Sequence, residues 1–215
     1  MDSHVNNIGS MVTPYYTVKD LKFRALESNG EIREAQRLLY QCYVQEGEWD
    51  IPSHSASDIK ASMKSDRWEI TDKYTSDAVW FGAYYKCELI GCFRVLENLE
   101  LPGYIDIPKV LELQSTELNR LAIRGDYRNH RVVTLMLLRT AFDYAFSLNP
   151  VVYVTAECPE PSGMFQRMGL IRYNFDEFKY HDTDPNGVDI LYYDTRLFDR
   201  FSTSLYKMTS RFLTK

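Results

Sequence analysis

A carboxylate and a guanidinium, Glu117 and Arg120, stand three residues apart in STELNRLAI over 115–123, a stretch that reads as a strand. Arg124, Arg128 and Arg131 follow in a turn, and then VVTLMLLRTAFDYAFS over 132–147, apolar around most of its circumference, reads as a buried helix. Residues 118–131 hold four arginines and one acid, Asp126, in a chain of net charge −5. A basic corner on an acidic protein suits a defined anionic partner; the alternative is a solvated turn. The strand carboxylate beside it is a possible proton acceptor.

The flanking elements must hold this corner. EIREAQRLLYQCYVQ over 31–45 puts Ile32, Ala35, Leu38, Leu39 and Cys42 on one helical face, with Arg33 and Arg37 on another side. Trp49 follows it. Residues 50–77 are polar and mixed, which predicts a short helix near 56–64 and otherwise a loop. VWFGAYY over 79–85 and ELIGCFRVL over 88–96 read as a hairpin. Arg94 inside its second strand faces either solvent or a cleft. VVYVTAE over 151–157 is a buried strand, and PEPSGMFQRMGL predicts a short helix closed at Gly169. Residues 171–180 and VDILYYD over 188–194 read as closing strands. Phe198, Phe201, Leu205, Met208 and Phe212 are spaced as on an amphipathic helix. Helices and strands in this order give a mixed α/β (α+β) sheet flanked by helices.

Composition sets the limits. At 215 residues, 45% hydrophobic and 26% charged, the chain has enough apolar content for a real core and reads as one domain over 12–215, after a polar, disordered lead-in at 1–11. Its acidity argues against nucleic acid as the main partner. No apolar run reaches the ~20 residues that a membrane span needs. The four cysteines lack metal-type spacing and read as reduced, mostly buried thiols of a cytoplasmic protein, with Cys158 the one open to a nucleophilic role.

The order of elements and FQRMGL over 165–170 resemble the GNAT-like acyltransferases. In that fold the central strand splays from its neighbour and the donor's pantetheine arm lies in the gap. Ordinary acetyltransferases read Arg/Gln-x-x-Gly-x-Gly/Ala at the donor loop, so that main-chain N–H groups cradle the coenzyme A pyrophosphate. Here the stretch runs from Arg128 to Val133, and Arg131 and Val133 fill the glycine positions. Guanidinium forks in place of bare backbone suit a single phosphate on an acidic carrier.

Within that superfamily the chain is most similar to the acyl-homoserine lactone synthases and the N-acyl amino acid synthases. Arg37, Tyr43 and Trp49, then Gly91 to Arg94, then Glu117-Leu-Asn119-Arg120 reproduce their spaced motifs, with Asn119 where those enzymes carry serine. The lactone synthases also carry paired acids after the tryptophan, whereas Asp58, Asp66, Asp72 and Asp77 form no alignable pair here. Arg120-Leu-Ala-Ile and Tyr127-Arg128 favour the amino acid synthases.

The resemblance implies transfer of a long acyl chain from acyl carrier protein to the amine of an amino acid such as tyrosine. The acyl group would arrive on 4'-phosphopantetheine as co-substrate, with no bound cofactor or metal. The alternative is a lactone synthase using S-adenosylmethionine. Glu117 would be the general base or pair with Arg94 or Arg120, and a main-chain N–H at a bulge near Leu121–Ile123 would hold the oxyanion. Arg37, Tyr43, Trp49, Arg94 and Arg120 would bind the acceptor or order the cleft, with Trp49 packing on the acceptor or on the first helix. Arg124, Arg128 and Arg131 would receive the carrier's phosphate. Met136, Phe142 and Phe146 line an acyl slot or belong to the core.

Overall fold

The computed structural model describes residues 13–53, 57–97, 115–173, 179, 186–199 and 203–213. An eight-stranded sheet runs β1 (Tyr16–Val18), β2 (Leu21–Ala25), β5 (Val79–Tyr85), β6 (Glu88–Glu97), β7 (Ser115–Ile123), β8 (Val151–Glu157), β10 (Val188–Asp194) and β9 (Ile171–Arg172). Every neighbouring pair is antiparallel except β7 and β8, which are parallel. That junction is crossed by helix α2 (Arg131–Leu148), as a parallel connection requires.

One sheet face packs on α2, with α3 (Glu160–Met168) and α4 (Ser204–Leu213) beside it. Leu118, Val152 and Val154 meet Met136, Leu137 and Ala141 there. Met136 and Phe142 are fully buried in this cluster, and Phe146 packs on Phe142 and Tyr193, so these side chains build the core. The other face packs on α1 (Asn29–Tyr40). Ser28 and Glu31 close its N-terminus as a capping box, and the chain then passes into a π-helical turn over Gln41–Gln45.

Several expectations need correction. In place of a helix near 56–64 the structure has a second, two-stranded sheet, β3 (Lys60–Lys64) and β4 (Arg67–Thr71), whose β4 packs on α1. Its two-residue turn puts Ser65 at φ 50° and Asp66 at φ 59°. A tight hairpin needs such values, and glycine or asparagine usually announces them. The β1–β2 hairpin, turning at Lys19 with φ 55°, lacks that signal too. The last helix begins at Ser204, and Phe198 lies exposed before it. The lead-in, most of the 171–180 stretch and Phe201 lie outside the described residues. The helix over 160–168 does end on Gly169, at φ 108°.

Candidate active site

Beyond Leu118 the central strand parts from its parallel neighbour. β7 pairs with β8 only at Ser115–Leu118 against Val151–Val154. From Asn119 onward β6 is the one strand paired with β7 among the described residues, while Thr155–Glu157 of β8 continue on β10, which pairs with β8 along its whole length. A β-bulge accompanies the parting. Arg94 pairs with Asn119 and Cys92 with Ala122, so Phe93 faces both Arg120 and Leu121. Arg120 sits at φ 57°, a left-handed conformation that an arginine adopts only where its surroundings enforce it.

Glu117 lies at the apex of this opening, opposite Tyr153, and is 2% exposed. Asn119 Nδ2 donates to its Oε1 at 3.0 Å and Thr155 Oγ1 to the same oxygen at 3.3 Å. Among the described residues Oε2 receives the long 3.5 Å approach of the Tyr153 hydroxyl and no closer donor. Burial pushes the Glu117 carboxyl above its ordinary range, against the pull of Asn119, Arg94, Thr155 and Arg120. Among the described residues no arginine forms an ion pair with Glu117, so the ion-pair alternative for this residue is not realised.

Arg94, itself 2% exposed, spends its charge on Asp72, with Nη1 to Oδ1 at 2.7 Å. Its Nε donates to Asn119 Oδ1 at 2.8 Å, and its guanidinium lies 5.4 Å from the Trp80 ring. Arg120 Nη2 reaches the other Asp72 oxygen at 3.5 Å. Burial alone would raise Asp72. The hydrogen bond and charge of Arg94, with the charge of Arg120, outweigh it and hold the carboxyl below its ordinary range. Of the scattered acids, Asp72 thus belongs to the site, and Asn119 joins it to Glu117. Asn119 was legible as sharing a strand face with Glu117 two residues away. Asp72 carried no such signal.

Arg37 stands apart from this cluster. It pairs with Glu34 at 2.7 Å and lies 3.1 Å from Glu69, a fully buried acid that the sequence did not single out. The Arg37–Glu69 approach is ionic without hydrogen-bond alignment: Arg37 Nε and both Glu69 oxygens are buried without a hydrogen-bond partner, as are Trp80 Nε1 and Arg120 Nε. A groove of about 710 Å³ runs past Arg37, Tyr40, Trp68 and Arg124, but Glu117 is not among its walls. Tyr43, on the π-helical turn, donates its hydroxyl proton to the Leu121 carbonyl in the bulge at 2.9 Å. Trp49 meets the Tyr43 ring edge-on at 5.9 Å, so it packs on the segment that follows α1.

The arginine corner is largely self-paired. Arg124 bridges Asp126, at 2.7 Å, and Glu88. Arg128 pairs with Glu46 and donates to the Ile123 carbonyl at 3.0 Å. Arg131, the first residue of α2, is exposed and makes no ion pair among the described residues. No side chain caps that helix end. Val133 turns into the core at 1% exposure, so of the two replaced glycine positions only Arg131 bears on the open helix terminus.

The described residues contain no group of three or more potential metal ligands and no helix long and apolar enough to cross a membrane. No protein-family model and no curated protein matches the sequence. Solved structures do match. FeeM, an N-acyl amino acid synthase from uncultured soil microbes, superposes with a TM-score of 0.60 at 13% identity, over 87% of this chain and 97% of its own. The acyl-homoserine lactone synthase LasI gives 0.55 at 15% identity, over 81% and 88%. An acyl-CoA N-acyltransferase from Pseudomonas aeruginosa gives 0.55 at 13% identity, over 80% and 98%. An acetyltransferase of the GNAT family from Streptococcus pneumoniae superposes as well, with a TM-score of 0.51 at 14% identity, over 81% and 98%, and the fold of this chain is the GNAT-like acyltransferase fold.

Proposed function

We propose that this chain is an N-acyltransferase that moves a long acyl group from the phosphopantetheine thioester of acyl carrier protein to the α-amine of an amino acid. The observation that carries the reading is a buried, arginine-flanked Glu117 at the point where β7 and β8 part, beside a strained bulge. The pantetheine arm would lie in the opening. The amine attacks in its neutral form, and Glu117 takes one proton from its nitrogen, directly or through a water, as the new bond forms. Nitrogen bonds to the thioester carbon, and a main-chain N–H at the Arg120–Leu121 bulge steadies the oxyanion. The C–S bond then breaks, and the proton held by Glu117 passes to the departing thiolate.

The unbonded donors of Arg37, Trp80 and Arg120, and the Glu69 carboxylate, which is ion-paired but lacks a hydrogen bond, lie on the α1 side of the sheet. Buried groups of that kind suit a small zwitterion better than a wholly apolar acceptor. For the donor, Arg131 at the uncapped start of α2 would take the carrier's phosphate, with Arg124 and Arg128 supporting it once they exchange their carboxylates. An acyl chain of twelve carbons would add several kcal/mol at about 0.8 kcal/mol per buried CH₂.

One observation favours the lactone synthase as a second reading. Glu69 and Asp72 are two acids with buried side chains, three residues apart after Trp49, the part of the chain where the resemblance to those enzymes would call for paired acids. Both are engaged by arginines, which leaves the amino acid product first. Mass spectrometry of organic extracts from expressing cells decides between them. N-acyl amino acids support the first reading, an acyl-homoserine lactone replaces it with the second, and the absence of both rejects acyl transfer to either acceptor.

A further inference from the structure

Glu117 is reached by a line of contacts that starts outside the sheet. Asp72, just past the end of β4, holds Arg94 on β6; Arg94 Nε donates to Asn119 Oδ1; Asn119 Nδ2 donates to Glu117 Oε1. A side-chain amide has an acceptor and donors on one planar head, so it can satisfy an arginine and a carboxylate at once. The remaining described groups that face the carboxylate are Tyr153 and Thr155 from β8 and, at longer range, Arg120 from the bulge.

We infer that Asn119 is a positioning residue that couples the Asp72–Arg94 ion pair to Glu117, fixing Oε1 and leaving Oε2 as the oxygen that takes the proton. The inference rests on the reading of Glu117 as the base. Among the described residues Oε1 has two donors within 3.3 Å, whereas Oε2 has the 3.5 Å contact to Tyr153 and no closer one. The charge of Arg94 is balanced by Asp72 and reaches Glu117 through a neutral amide. The carboxyl is thereby kept basic enough to accept a proton instead of being locked as a salt bridge. Asn119 and Asp72 act on Glu117 with opposite sign. The amide stabilises the carboxylate, while Asp72 withholds Arg94 from it.

Infrared titration of the Glu117 carboxyl stretch, with Glu117→Gln as the blank, tests this without turnover. Asn119→Ala removes the donor while Asp72 still holds Arg94, and the midpoint should rise by about one pH unit. Asp72→Asn frees the Arg94 charge, and the midpoint should fall by about one unit or more. Shifts of opposite sign, followed by the acid limb of kcat, support the coupling. Unmoved midpoints, or shifts of one sign in both variants, overturn it. If Asp72→Asn fails to fold, Asn119→Ala and Asn119→Ser decide, since a merely structural asparagine would lower amplitude without moving the midpoint. Opposite shifts in a protein that consumes no thioester would leave the coupling standing and reject acyl transfer.

Discussion

Arg94 and Glu117 face the same side of adjacent strands, yet the hydrogen-bonded link between them runs through the amide of Asn119. Glu117 is therefore a buried carboxylate without a salt bridge among the described residues, and its carboxyl is raised by burial. Folding makes it bind its proton more tightly than the unfolded chain does, whose carboxyl titrates near ~4.3. The stability this contributes is complete below that value and is lost as pH rises through the folded value. Glu117→Gln should then melt ~2 °C or more above the parent at pH 8, with the gain vanishing near pH 4. Calorimetry across pH checks this, and activity should be lost in the same variant at every pH.

Asp72 behaves in the opposite sense. Its lowered carboxyl adds stability that is present above the unfolded value of ~3.9 and disappears as pH falls through the folded one. Removing its charge leaves Arg94 buried and unpaired, which should cost about 3–5 kcal/mol in urea unfolding at pH 7 for Asp72→Asn. Replacing both partners, Asp72→Leu with Arg94→Met, should cost less than that single change.

The arginines at the start of α2 should rank by how free they are. Arg131→Ala should lower kcat/KM for the carrier thioester ~10-fold or more, the loss of a charge-assisted hydrogen bond. Arg124→Ala and Arg128→Ala should cost only about two- to fivefold each, because both already hold carboxylates near the surface. Acceptor KM should stay unchanged in all three, as measured with saturating donor.

Gly169 ends α3 at φ 108°, and an added Cβ would stand 3.3 Å from two Thr203 carbons. Gly169→Ala should cost ~1–3 kcal/mol, read as a lowered Tm with unchanged acceptor KM.

Much of the scaffold was legible because local pattern and tertiary role agree. The alternating and apolar runs at 79–96, 115–123 and 151–157 became β5–β6, β7 and β8, and the apolar run after Arg131 became α2. The β3–β4 hairpin escaped because Ser65 and Asp66 adopt positive φ without a glycine to mark it. The bulge at Arg120 is hidden for the same reason. Glu117 was visible as a lone acid on a strand, but its partners were not. Asp72 joins Arg94 across 22 residues, and Glu46 joins Arg128 across 82, distances over which composition carries no pairing signal. The arginine corner was legible as charge but not as a set of ion pairs already formed.

Donor choice separates a carrier-dependent enzyme from a coenzyme A-dependent one. Purified protein is offered the same long acyl group on acyl carrier protein and on coenzyme A, with an amino acid as acceptor, and kcat/KM is compared while the amide product is identified by mass. The carrier thioester should be preferred at least ~10-fold, on the scale of one lost charge-assisted contact, and the preference should disappear in Arg131→Ala. Faster turnover with acyl-CoA, or coenzyme A bound with its diphosphate on the main chain at the start of α2, would contradict it.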